Sequence, residues 1–273
     1  MSERDRNPQA AQMADESMVR NLAAQAEAIW PQEVEFFRRY PLGDAPEILD
    51  LACGTGEISM RLARLFPRAR ILGVDLISSH LDIARARCAA DADRVSFEVG
   101  DAFHLSQAAH SFDLVVCRHL LQAIPEYPLV LAEMIRVTRP GGRVHIVAED
   151  YAMMHFDPMI IDTDLFWHQG PIAYAGQTGC DLRSGRKIFG DLRRLGLSDV
   201  RVDYLTLDTV RVPRDTLAAI WTAWRDGYAA SIAEHTDLPH GQVLEAFEQM
   251  IAAIRNSDGY AVWHLPLISA RVP

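Results

Sequence analysis

The spacing of apolar residues changes period repeatedly along this chain, and those changes mark its elements. Ile48, Leu49 and Leu51 form a short apolar run of strand type. Ile58, Leu62 and Leu65 follow at i, i+4 and i+7, one face of a helix, which Pro67 stops. Further strands are predicted near 70–75, 94–99, 112–117 and 143–148, besides the one at 47–51. VSFEV alternates apolar and polar, as a less covered strand does; DLVVC is nearly continuous, as a central strand is. Strands alternating with helices predict an α/β fold with a doubly wound parallel sheet. Upstream, residues 11–40 read as helix, with Met18, Leu22 and Ile29 on one face, polar residues opposite, and Pro31 breaking or restarting it. Such a helix either packs on the core or caps a site. PLGDAP, 41–46, marks the entry to the sheet.

After residue 150 the rhythm is lost. Residues 151–180 are rich in aromatics, Met and Gly without a clear period. SGRKIFGDLRRLGL then reads as a helix with Ile188, Leu192 and Leu195 inward and Gly196 as its C-cap. VRVDYLTLDTV reads as a strand, 213–256 as two helices joined near Leu238–Pro239, and GYAVWHLPLISARVP as a final strand. Leu217, Trp221, Trp224 and Tyr228 share one helix face. Trp221 is assigned to the core, and one or two of the others to a pocket wall.

Composition narrows the function. The chain has 273 residues, 49% hydrophobic, enough for one sizeable core with added elements. Its formal net charge is −10, and arginines interleave with acids rather than forming a basic stripe, which disfavours nucleic acid as a partner. No apolar run approaches the roughly 20 residues of a membrane span. The stretch MSERDRNPQAAQ lacks an apolar signal core, so the expectation is a cytoplasmic protein without a membrane partner. Cys53, Cys88, Cys117 and Cys180 show no metal-ligand spacing and read as reduced packing thiols; no metal is expected.

The candidate chemistry starts at ILDLACGTGEISM. Gly54 and Gly56 lie between a strand end and a helix N-terminus, where open α/β sheets bind ligands. RILGVDLISSH ends its strand pattern at Asp75, nineteen residues after Gly56, about the spacing at which an acid meets the ribose hydroxyls of a nucleotide-type cofactor. Ser79 with Asp82 reads as the next helix's capping pair, leaving Asp75 for a ligand. The third glycine of a dinucleotide fingerprint is Ser59 here, and the only lysine, Lys187, is not in a P-loop. A pyrophosphate site is therefore weakly supported.

DLACGTG resembles motif I of the class I S-adenosylmethionine-dependent methyltransferases. GVDLI is similar to that family's second-strand motif, GDAFHL to its third, and FDLVVCRHLLQAIPEYPLVLAEMIRVTRPGGRVHIV to its fourth strand through its fifth. The resemblance spans about residues 46–150. It implies a Rossmann-like seven-stranded sheet of order 3-2-1-4-5-7-6 with strand 7 antiparallel. A single domain would then comprise an N-terminal helical cap (1–45), a cofactor-binding core (46–150), a substrate loop, helix and strand 6 (151–212), a helical insertion or lid (213–258) and a terminal strand (259–273). It implies S-adenosylmethionine as cofactor, with S-adenosylhomocysteine as product, held by Asp50, Ala52 (where the family has glycine), Gly54, Gly56, Asp75, Leu76, Asp101, Ala102, Phe103, Cys117 and Arg118. Asp101 would take the adenine amino group, with Ala102 and Phe103 on the ring. Arg118 would orient the methionine end or hold an acid nearby. His119 would face the sulfonium, either as general base or as a shaper of the pocket.

EDYAMMHF, 149–156, follows the fifth strand and offers polar groups among Met and Phe, as a pocket does or as a loop with solvated acids does. Asp150 and His155 are the further candidate catalytic groups. Tyr151, Met154, Trp167, Tyr174 and Trp224 are the candidate substrate contacts. The function expected is methyl transfer to oxygen or nitrogen of a small aromatic or hydrophobic metabolite, by a monomer or homodimer. The rivals are an S-adenosylmethionine-binding protein with other chemistry, a nicotinamide-dependent oxidoreductase, and a methyltransferase acting on a macromolecule.

Overall fold

A computed structural model describes residues 5–273; residues 1–4 of the expected cap lie outside it. Eight strands form one sheet: β1 (Glu47–Leu51), β2 (Arg70–Asp75), β3 (Val95–Val99), β4 (Phe112–Arg118), β5 (Thr138–Val147), β6 (Met154–Asp157), β7 (Ser198–Asp208) and β8 (Tyr260–Arg271). Strands β3-β2-β1-β4-β5 are parallel neighbours in that order, and β8 follows antiparallel to β5. β7 pairs with the other edge of β8, while β6 continues the β5 edge. The expected order thus holds for the seven long strands. β6 is an addition: Met154 and Phe156 point in and His155 and Asp157 out, a pattern of four residues, too short to stand out.

Helices cover both faces. After the short α1 (Ala10–Met13), α2 (Glu16–Phe37) crosses the sheet, its start capped by Asp15, which accepts from Ser17 N at 2.8 Å. Pro31 does not break α2, contrary to expectation. It sits on the exposed side, as does Glu27, whose carbonyl loses the i→i−4 bond. Ile29, Glu33 and Phe37 on the inner side are fully buried and hold the second half down. α3 (Glu57–Leu65) and α4 (Ser78–Arg87) pack beside α2, and α5 (Tyr127–Val137) packs on the opposite face. The aperiodic stretch holds α6 (Thr163–Trp167), a wide turn at His168–Ile172, and α7 (Ala173–Thr178). α8 (Gly185–Arg194) buries Ile188 and Leu192 beside α5, but Leu195 is exposed: the helix ends there, and Gly196 takes the left-handed C′ position at φ 86°.

α9 (Arg214–His235) and α10 (His240–Arg255) form the expected inserted pair, with α2 against α9. Together they bury Trp221, Trp263 and Phe247 over the β6–β8 end of the sheet. No helix among the described residues is long and apolar enough to cross a membrane. A cleft lies between these layers, above the C-terminal ends of β1, β2 and β4.

Candidate active site

The turn after β1 is built from left-handed residues: Ala52, Gly54 and Gly56 have φ of 56°, 51° and 75°. Ala52 is the one with a Cβ in this region, a strained state worth about 1–2 kcal/mol. The two glycines serve different ends. A side chain on Gly54 would enter the cleft against Leu22; one on Gly56 would strike Ala84 and Phe97 behind the turn. Gly54 and Ala52 therefore line the cleft, and Gly56 lets α4 pack close.

Asp75, at the end of β2, lines the cleft, but it is not idle. Its Oδ2 accepts from Gly54 N at 2.7 Å and its Oδ1 from Ile77 N at 2.9 Å. It thus ties the turn to the start of α4, whereas Ser79 lies inside α4 and makes no cap hydrogen bond. Each oxygen keeps a lone pair for a ligand. Leu76 and Ala102 line the same wall. Asp101 lies beside it, its Oδ1 accepting from Phe103 N at 2.9 Å, while the Phe103 ring is buried in the core.

Asp50 lies beneath the turn, not in the cleft. It accepts from Ser59 Oγ at 2.6 Å, which explains the residue found in place of the third glycine: Ser59 ties α3 to β1. Cys117 is likewise not in the cleft; strand alternation turns it into the core under α5, and burial pushes its thiol well up. Burial also pushes the Asp50 carboxyl up to about 6, against an unfolded value of 3.8, with Ser59 and Arg118 only partly countering it. A folded pKa above the unfolded one means stability present below pH 3.8 and lost as pH rises through about 6. The loss is about 3 kcal/mol on that shift. Asp50→Asn should therefore gain on the native protein in unfolding free energy between about pH 4.5 and 7. A gap that does not change with pH would refute this.

The end of β4 carries the charged part of the site. Arg118 is buried and lines the cleft; its Nε lies 2.9 Å from Glu33 Oε1, although the N–H is not aimed at that oxygen. His119 adopts φ 57°, a left-handed state, while its N still donates to Val147 O at 2.9 Å. That twist turns the imidazole toward the end of β5, where Nδ1 meets Glu149 Oε1 at 2.5 Å. Both line the cleft, and among the described residues His119 Nε2 and Glu149 Oε2 have no other partner. A carboxylate on Nδ1 selects the Nδ1–H tautomer, leaving the Nε2 lone pair toward the cleft.

Of the other residues expected after β5, Tyr151 lines the cleft. Asp150 does not: it turns the opposite way from Glu149 and pairs with Arg186 of α8, whose Nη2 donates to Oδ1 at 2.7 Å. Met154 is buried in the core and His155 is exposed on the outer face of β6, so neither reaches the cleft. Trp167, Tyr174 and Trp224 do reach it, with Tyr228 beside them. The rings of Tyr151, Trp167 and Trp224 lie 5.3–6.2 Å apart. Two bonds close α1 and its flank over this wall, Tyr228 Oη to Gln9 Oε1 at 3.1 Å and Gln12 Nε2 to Tyr174 Oη at 3.4 Å.

Several site residues were not foreseen: Asn21, Gln25, His80 and Glu33, with Glu149 noted only as part of its loop. Asn21 and Gln25 line the cleft from α2, buried, each with a side-chain oxygen that has no partner among the described residues; the same holds for the buried His80 Nε2. Asn21, Gln25 and Glu33 recur at multiples of four on the buried face of α2. Polar residues on the face read as apolar were the available signal.

The family model of a methyltransferase domain matches residues 42–181, about half of the chain. This chain belongs to that family. Among curated relatives it is 39% identical to the demethylmenaquinone methyltransferase of Deinococcus radiodurans over 97 residues, covering 36% of this chain and 40% of that one. The methyltransferase GfsG of Streptomyces halstedii is 34% identical over 134 residues, covering 48% and 47%. The chain thus spans less than half the length of these relatives. In fold it is similar to the phosphoethanolamine N-methyltransferase 2 of Haemonchus contortus, solved with phosphomonomethylethanolamine and S-adenosylhomocysteine. That likeness has a TM-score of 0.62 at 20% identity, over 96% of this chain and 59% of the other.

Proposed function

We propose that this protein binds S-adenosylmethionine in the cleft and methylates an oxygen or nitrogen atom of a small molecule with an aromatic or hydrophobic body. The observation that carries this reading is one continuous cavity with two unlike walls. Gly54, Asp75 and Leu76 form one, Tyr151, Trp167 and Trp224 the other, and His119 with Glu149 lies between.

The chain's own groups fit such a cofactor. Along the sheet order, Asp101, Asp75, Gly54 and Arg118 stand in a row at the ends of β3, β2, β1 and β4. Acids at one end suit an adenine amino group and ribose hydroxyls; the guanidinium at the other suits a carboxylate. Unpartnered atoms of Asn21, Gln25, Arg118 and Gln122 around the cavity supply further polar contacts. When bound, the cofactor supplies a methyl group activated by a positive sulfur. The protein's task is then to align the acceptor, exclude water and take a proton, and alignment alone is worth about 7–11 kcal/mol. In this reading His119 Nε2 takes the proton that a hydroxyl or amine must lose, and Glu149 balances the imidazolium formed.

The names of its relatives cover acceptors as different as demethylmenaquinone and phosphoethanolamine, so likeness does not choose between them. The cavity favours one kind. Arg118 is the single Lys or Arg among the described lining residues, against Asp75 and Glu149, which disfavours a phosphate-bearing acceptor. Nothing comparable supports a nicotinamide cofactor, given Ser59 tied to Asp50.

Two measurements test the reading. S-Adenosylhomocysteine at 100 times its dissociation constant should stabilise the protein by about 2.7 kcal/mol, and NAD(H) should not. A panel of phenols, aryl amines and their phosphorylated analogues should show cofactor turnover with the uncharged members. Turnover confined to the phosphorylated ones, or none with any metabolite offered, would sink it.

A further inference from the structure

Behind Arg118 lies a buried polar chain that the proposed reaction does not use. Glu33, on α2, is fully buried, and its Oε1 meets two groups: Arg118 Nε at 2.9 Å and His145 Nε2 at 3.0 Å. His145, on β5 and also fully buried, meets Tyr40 Oη through Nδ1 at 2.8 Å. The Phe37 ring stacks on the imidazole at 4.2 Å between centroids. These contacts fit one proton arrangement: Tyr40 O–H donates to Nδ1, and Nε2–H donates to Glu33. Burial opposes ionisation of Glu33, but Arg118 and His145 outweigh it and hold its carboxyl below the usual range; burial also lowers His145, keeping it neutral. The set is thus one ion pair with a neutral histidine behind it.

Stability alone does not account for this arrangement. A buried ion pair is commonly matched or surpassed by well-packed apolar residues of the same volume. Here the pair also leaves polar capacity unused, since among the described residues Arg118 Nε and Nη2 and Glu33 Oε2 have no hydrogen-bond partner. The pair does have one consequence for the cleft. A long, flexible arginine is held by its charge against Glu33, Nε lying 2.9 Å from Oε1 without a hydrogen bond there, while its guanidinium lines the cavity beyond β1, at the end of the row opposite Asp101. Freezing such a side chain beforehand removes an entropic cost that binding would otherwise meet.

We infer that Glu33, anchored by His145, is a positioning residue that holds Arg118 for the carboxylate at the amino-acid end of the bound nucleoside. This rests on the cofactor reading given above, and the test separates the two. Calorimetric titrations would use S-adenosylhomocysteine and 5′-methylthioadenosine, which shares the nucleoside but lacks the amino-acid end. They would be run on the native protein, Glu33→Gln, Arg118→Gln and the double variant. The expected result is that each variant weakens S-adenosylhomocysteine by about tenfold or more, as for a lost hydrogen bond to a charged group. 5′-Methylthioadenosine should stay within about twofold, and the double variant should be no worse than Arg118→Gln, because the two residues act as one unit. The double variant also removes both buried charges, so it keeps the test open if Glu33→Gln alone leaves Arg118 uncompensated and the fold suffers. Equal weakening of both ligands, additive losses, or unchanged S-adenosylhomocysteine affinity in Glu33→Gln would each overturn the assignment. A native protein that binds neither ligand would overturn the cofactor reading itself, and the role of Glu33 with it.

Discussion

His119→Ala is expected to lower kcat by about 10²–10⁴-fold, the usual contribution of a positioned general base, while S-adenosylhomocysteine affinity stays within a few-fold. The reason lies in the proton inventory of the cleft. A carboxylate that accepts from Nδ1–H leaves Nε2 as the basic nitrogen of the His119 ring, and Nε2 has no other partner among the described residues. Glu149→Gln tests the same arrangement from the other side. Its side-chain amide can donate to Nδ1, which favours the opposite tautomer and puts the proton on Nε2, where a base is needed. That variant should therefore lose nearly as much rate as His119→Ala, although it keeps the volume and a hydrogen bond. A purely shape-defining histidine predicts otherwise: Glu149→Gln would be nearly neutral and His119→Phe tolerated. Single-turnover rates with a phenol acceptor decide between them. A loss below about threefold in both variants would leave alignment as the whole of catalysis.

The legibility of this site in the sequence divides along a physical line. The nucleotide corner is local: a strand end, a glycine turn and an acid on the next strand, all within Leu49–Asp75 and all set by backbone geometry. Its residues are therefore readable from spacing. The strands and crossovers are readable for the same reason, since each carries its own period, whereas their order in the sheet is legible only through the family resemblance. Glu33, Arg118 and His145 meet only because α2 lies across β4 and β5; no spacing in sequence encodes that contact. The choice between Glu149 and Asp150 was equally hidden. Two adjacent acids point to opposite sides, and which one enters the cleft depends on how α8 seats. Gly185 packs directly on the Ala148 and Glu149 carbonyls and its N–H bonds the latter, fixing the path of the chain there. The aromatic stripe of α9 was split by the same kind of long-range fact. Trp221 meets Trp263 of β8 and is core, whereas Trp224, one turn on, also meets the cleft. Pro31 misled because the rule on proline interrupting helices ignores which side of the helix faces water.

Asp75→Ala should cost the most cofactor affinity of any single change at the site. Two hydrogen bonds to a carboxylate are lost at the ligand, each worth about 1.5–3 kcal/mol, which corresponds to about 10²–10⁴ in dissociation constant. A second cost falls on the protein. Gly54 N and Ile77 N lose their acceptor, so the turn that lets a ligand approach and the start of α4 lose their common anchor. Asp75→Asn separates these contributions. One of its two side-chain positions becomes a donor, so one backbone N–H loses its partner, and one ribose hydroxyl loses its acceptor. Its expected loss is intermediate, about tenfold to a hundredfold. Titration of native and variant proteins with adenosine and S-adenosylhomocysteine isolates the ribose contact, because both ligands carry it. If Asp75 acts on the ribose, both weaken in parallel, the reverse of the pattern expected for Glu33→Gln. If adenosine binding is unchanged in Asp75→Ala while the melting temperature without ligand falls, Asp75 is only the clamp between the turn and α4, and the nucleoside is held elsewhere in the cleft.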